Sequence, residues 1–105
     1  METPNMDYLD ALAGDNREFR ERFAGILKSE FPGERQAYEK ALQEGDFEEA
    51  RQMVHKLKHK ISILGLKKGY ALAENYEEHL REGRDAYPAE FGEILDCMAQ
   101  FLNEL

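Results

Sequence analysis

The stretch that decides the fold is residues 47–65, FEEARQMVHKLKHKISILG. Its apolar residues recur every three or four positions, which places them on one stripe of an α-helix at about 100° per residue. Asp46 and Glu49 have the spacing of a capping box, and Gly65 is typical of a helix end. The stretch therefore predicts an amphipathic helix whose core-facing residues are Phe47, Ala50, Val54, Leu57, Ile61 and Leu64.

The rest of the chain has the same period and lacks the alternation of a strand. A long helix is predicted from a second capping box, Asp15 with Glu18, to Gly45. Pro32 favours a kink in it over a break into two helices. Its apolar positions are Phe19, Phe23, Ile26, Leu27, Phe31, Tyr38 and Leu42.

Three further helices complete the prediction. A short one holds Met6, Leu9 and Leu12, one stops near Gly83, and the last starts near Pro88. Because the connections are short, neighbouring helices should be antiparallel. The prediction is an all-α fold in one domain, residues 1–105: an up-and-down antiparallel four-helix bundle with a short additional N-terminal helix.

Composition excludes several classes of protein. A single cysteine, Cys97, cannot form an internal disulfide, and no signal-like start or run of 18 apolar residues is present, so we predict a cytoplasmic protein outside the membrane. A net charge of −8 and a short basic stretch without interleaved aromatics argue against nucleic acid. No glycine-rich phosphate loop or catalytic triad order is present, and no cofactor is expected.

Positive charge is concentrated around two histidines. Residues 50–73 contain six basic residues and no acid, a local charge of +6, so the remainder of the chain carries −14. Projection of the helix places His55 about 130° from the centre of the apolar stripe and His59 almost opposite it, so both should face solvent. The basic residues are Arg51, Lys56, Lys58, Lys60, Lys67 and Lys68. A solvated charge run is the simplest interpretation.

The chemical interpretation is phosphoryl transfer. A neutral imidazole is a nitrogen nucleophile near pH 7, and a nearby cation stabilises a transferring phosphoryl group. Lys58 lies one helical turn after His55, within reach of a group attached to its ring.

The segment HKLKHKISILG resembles the motif of the histidine-containing phosphotransfer (HPt) domains of two-component phosphorelays, through His55, Leu57, Lys58 and Gly65. ALQEGDFEEARQMVH, YLDALAGDNREFRERF and ENYEEHLREG also resemble segments of that family. The resemblance implies that His55 accepts a phosphoryl group from a receiver aspartate or a kinase and passes it to a response-regulator receiver domain. Lys58 would stabilise the phosphorylated form of His55 electrostatically. The partners would be receiver domains of response regulators or hybrid sensor histidine kinases. The predicted binding surface comprises Arg51, Lys56, His59, Ser62 and Gly65.

His59 stands where the family usually has glycine, and Ile63 where a small or polar residue is usual. His59 could swing aside, hydrogen-bond the phosphoryl group, or leave a non-catalytic module that binds receiver domains without phosphotransfer. A third hypothesis is a metal site, since His55 and His59 have the spacing of two ligands on one helix face. The adjacent lysines oppose it, and His79 is predicted to be exposed near a helix end rather than a third ligand.

Overall fold

The computed structural model describes residues 2–105, which form five α-helices joined by short turns and no strand. Four of the helices, α2 to α5, are arranged in a ring around one core. In this ring α2 packs on α3, α3 on α4, α4 on α5 and α5 on α2, while the short α1 packs on α2. This confirms the predicted helical bundle with an additional N-terminal helix. The helices are α1 (Asp7–Ala13), α2 (Arg17–Gln43), α3 (Phe47–Ile63), α4 (Lys67–Arg81) and α5 (Pro88–Asn103).

Capping explains where the two longest helices begin. Asp46 caps α3, because its Oδ1 accepts from the backbone N–H of Glu49 at 3.1 Å. The predicted capping box of α2 is wrong by one residue, since Asn16 rather than Asp15 accepts, from the N–H of Phe19 at 2.9 Å. Pro32 lies inside one continuous α2, so this helix is not broken in two.

The turn between α3 and α4 is fixed by Gly65, which has a φ of +79°. The backbone N–H of Asn5 donates to the carbonyl of Leu64 at 2.9 Å. A Cβ on Gly65 would lie 2.7 Å from Nδ2 of Asn5, so only glycine leaves room for this contact. The segment before α1 is therefore anchored on the turn that follows α3.

The predicted stripe of α3 faces the core. Ala50, Val54, Leu57, Ile61 and Leu64 are fully buried, and Phe47 is half-buried at the start of the helix. Three predicted apolar positions lie at the surface instead: Leu12, Phe19 and Ile26 are exposed. Periodicity identifies the apolar face of a helix, but it does not specify how far neighbouring helices extend along it.

Aromatic rings join α2, α4 and α5. The hydroxyls of Tyr38 and Tyr76 are 2.8 Å apart, and Tyr76 donates to Oδ1 of Asp85 at 2.6 Å. The ring of Phe91 lies edge-on to both tyrosine rings. Burial raises the pKa of Tyr38 to about 12 and also raises that of Tyr76, so both hydroxyls stay protonated. Because Tyr76 is anchored in the core, the next residue of α4, Glu77, is held in a fixed position beside α3.

Across residues 2–105, none of the helices combines the length and the apolar character that crossing a membrane requires.

Candidate functional site

The site is built on the outer face of α3, where His55 and His59 are one turn apart. The side chain of His55 is 52% exposed, and His59 is also exposed. Both positions agree with the helix projection from the sequence. The buried stripe on the opposite side of α3 fixes the helix, so His55 is presented to solvent from a rigid support.

Glu77 orients the ring of His55. Its Oε1 lies 2.8 Å from Nδ1 of His55, and Glu77 itself is only 7% exposed. A carboxylate only accepts hydrogen bonds, so Nδ1 carries the proton and donates it. In the neutral ring the lone pair is then on Nε2. The contact thus selects the tautomer in which the outward nitrogen, Nε2, carries the free lone pair.

Lys58 lies under this pair rather than in solvent. Its Nζ donates to Oε2 of Glu77 at 3.3 Å and lies 5.5 Å from the centre of the Tyr70 ring. The residue is 8% exposed. Glu77 therefore bridges His55 and Lys58, one carboxylate oxygen for each.

His59 meets the other nitrogen of His55. The two Nε2 atoms are 3.3 Å apart, and the ring planes are perpendicular with centroids 4.8 Å apart. Because Nε2 of His55 carries the lone pair, Nε2 of His59 must be the donor in this contact. Both ring nitrogens of His55 consequently have a side-chain partner.

The basic run is solvated only in part, because the interpretation as a solvated charge run is wrong for three of its six residues. Lys58 is paired with Glu77, and Lys60, whose side chain is 9% exposed, donates to Glu30 and Glu34 of α2 at 3.0 Å each. Arg51 pairs with Glu48. Hydrogen bonds from Arg51 lower the pKa of Glu48 to about 2, and the same pairing raises the pKa of Arg51.

The predicted binding surface is brought together only in part. Lys56, His59 and Ser62 are exposed on the same helix as His55. Arg51 is half-buried against Glu48, and Gly65 is covered by Asn5. The exposed part of this surface is therefore centred on the two histidines.

His79 is not exposed, contrary to the prediction from its place near the end of α4. It is half-buried with its ring 5.4 Å from that of Tyr87. The region after α4 folds back over it, which helical position alone does not reveal.

Within residues 2–105, no group of three or more His, Cys, Asp or Glu side chains is arranged to hold a metal ion. Cys97 is a free, half-buried thiol on α5.

Sequence reasoning missed Glu77. It lies 22 residues after His55, on a different helix. The only available signal was its position directly after Tyr76, at the edge of the apolar stripe of α4. An acid at such an edge is common on amphipathic helices, so the pattern alone does not single it out.

A helical bundle that presents an oriented imidazole on an outer helix face, with a carboxylate on one nitrogen and a lysine behind it, has the features of a helical phosphotransfer module. A family model for the Hpt domain matches residues 22–104, and the chain belongs to that family. Membership implies a histidine phosphotransfer module of phosphorelays. No curated protein and no solved structure matches the chain significantly.

Proposed function

We propose that this protein is a histidine phosphocarrier in a two-component phosphorelay, with His55 as the acceptor. His55 takes a phosphoryl group from an aspartate of a receiver domain or from a kinase and passes it to the receiver domain of a response regulator. The observation that carries the proposal is the 2.8 Å contact between Nδ1 of the exposed His55 and Glu77. It supports a nucleophilic Nε2 that a second protein can reach.

The transfer is a substitution at phosphorus. The lone pair on Nε2 of His55 forms the N–P bond while the bond between phosphorus and the aspartyl oxygen breaks, and the aspartate leaves as a carboxylate. The proton stays on Nδ1, so the ring becomes cationic. Glu77 balances that charge through its hydrogen bond to Nδ1. The reverse substitution on the next receiver restores the neutral ring.

Lys58 acts through Glu77. A lone carboxylate beside His55 would repel an incoming phosphoryl group, because like charges at this range destabilise each other. The ammonium of Lys58, 3.3 Å from the other carboxylate oxygen, offsets that negative charge. The electrostatic role predicted for Lys58 is thus proposed to be indirect.

The alternative is a non-catalytic module that binds receiver domains without phosphotransfer. The contact between His59 and Nε2 of His55 favours it, because this contact occupies the lone pair that must attack phosphorus. The alternative predicts receiver binding that persists in His55→Gln without any label.

Phosphotransfer from phosphorylated receiver domains is the direct test. The protein should acquire acid-labile, alkali-stable label, as expected for a phosphoramidate bond. His55→Gln should abolish the label, whereas the matched variant His79→Gln should retain it, since His79 packs against Tyr87 outside the site. Absence of label with several receivers, or equal label in His55→Gln, would overturn the proposal.

A further inference from the structure

Among residues 2–105, His59 is the one side chain that hydrogen-bonds the outward nitrogen of His55. The nitrogens are 3.3 Å apart, and with the lone pair of His55 on Nε2 the N–H of His59 is the donor between them. This distance lies beyond the 3.2 Å at which the usual range of N–H···O hydrogen bonds ends, and both atoms here are nitrogens. The contact is therefore a weak cap that is easily exchanged for a better acceptor.

A phosphoryl group on His55 would supply that acceptor. Phosphorus bonded to Nε2 would occupy the space between the two nitrogens, so the ring of His59 must rotate away from the lone-pair direction. The phosphoryl oxygens then lie beside its Nε2–H. A hydrogen bond to an anionic oxygen is roughly twice as strong as one between neutral groups.

We propose that His59 is a further residue of the transfer site, a phosphoryl-binding residue that caps the free Nε2 of His55 and then donates to a phosphoryl oxygen. The inference rests on the phosphocarrier proposal for its biological setting. No proton is transferred between the rings in this exchange. The N–H of His59 changes acceptors, from nitrogen to oxygen, while the N–P bond forms and the bond to the donor breaks.

His59 therefore slows the phosphorylation of His55 and prolongs the lifetime of the phosphorylated form. The cap must open before Nε2 attacks, which lowers the rate of phosphorylation. After transfer the charge-assisted bond holds the phosphoryl group and opposes its loss to water. Three other basic groups of α3 are engaged elsewhere, Lys58 by Glu77, Lys60 by Glu30 and Glu34, and Arg51 by Glu48.

A pair of variants separates the donor from the bulk of the side chain. His59→Gln keeps an N–H donor of similar reach, whereas His59→Leu fills the space without a donor. Because His59 is exposed, both variants should fold, and far-UV circular dichroism with a urea midpoint checks this. The probe is phosphoramidate, a small phosphoryl donor that needs no protein partner and releases ammonia as its N–P bond breaks.

We expect His59→Leu to be labelled by phosphoramidate about two- to fivefold faster than wild type and to lose its label to water roughly fivefold faster. His59→Gln should stay within about twofold of wild type in both rates. Equal rates in the two variants would overturn the inference, as would failure of phosphoramidate to label His55 in the folded protein.

The two proposals fail in different ways. If receivers label His55 and the two variants behave alike, the role of His59 is refuted and the phosphocarrier proposal stands. If no receiver labels the protein but phosphoramidate does, and the variants differ, the role of His59 stands and the phosphorelay function is refuted.

Discussion

Replacement of Glu77 by glutamine should destabilise the bundle through Lys58. At an effective dielectric constant of about 20, unit charges 3.3 Å apart attract by about 5 kcal/mol, most of which offsets the desolvation of the two ions. Glu77→Gln preserves volume and an acceptor oxygen but leaves the ammonium without a counter-ion. Removing one partner of a buried pair costs about 3–5 kcal/mol.

The expected loss is smaller, about 2 kcal/mol in the free energy of unfolding, because the amide still accepts a hydrogen bond and the ring of Tyr70 still faces the ammonium. The double variant Lys58→Met with Glu77→Gln removes both charges and should return to within about 1 kcal/mol of wild type.

Urea unfolding followed by circular dichroism measures the four proteins of this cycle: wild type, Glu77→Gln, Lys58→Met and the double variant. A loss below about 0.5 kcal/mol in Glu77→Gln would be typical of a surface substitution and would refute a buried, unpaired ammonium as the cause. That cause is also refuted if the double variant is no more stable than Glu77→Gln alone, since the loss then comes from something other than the charge on Lys58.

Two further predictions concern the ends of α3. Gly45→Ala should cost about 1 kcal/mol of unfolding free energy from its φ of +70° alone, since nothing lies near its Cβ position. Gly65→Ala should cost about 1 kcal/mol more, because Asn5 must move and lose its bond to α1; equal losses in urea unfolding would contradict this. Arg51→Met should return the pKa of Glu48 from about 2 toward 4.5, measured by NMR titration. Because the folded pKa is lowered, the stability that this pair contributes is present above about pH 4.5 and is lost as the pH falls toward 2, so an unchanged Glu48 midpoint in the variant would argue against the pair.

The sequence was sufficient for the fold because the relevant signals are local. The three- and four-residue period of α3, its cap at Asp46 and the glycine after it all depend on residues within one or two turns. The start of α2 could be predicted only to within one residue. Asp15 and Asn16 are both good caps, and only the geometry of the turn after α1 selects Asn16.

Only part of the candidate site could be predicted from the sequence, because its contacts join residues that are far apart along the chain. His55 and Lys58 share one helix, so their spacing could be read directly, whereas their common partner comes from α4. Charge counted along the chain also misjudged Lys60, which meets two acids of α2. A sum over sequence neighbours omits ions that packing brings in from other helices, and these determine which cations stay free.

The residues around His55 fall into a buried group that orients its ring and an exposed group that a partner can reach. This separation bears on how such a protein could change partners. The groups that set its tautomer lie behind the ring and are largely buried, whereas Lys56 and Ser62 are exposed beside it and take part in no contact with Glu77. Under the proposed function, substitutions at these outer positions therefore alter affinity for one docking protein or another while the ring of His55 keeps its orientation. Partner choice could be reprogrammed, in evolution or by design, without rebuilding the chemistry.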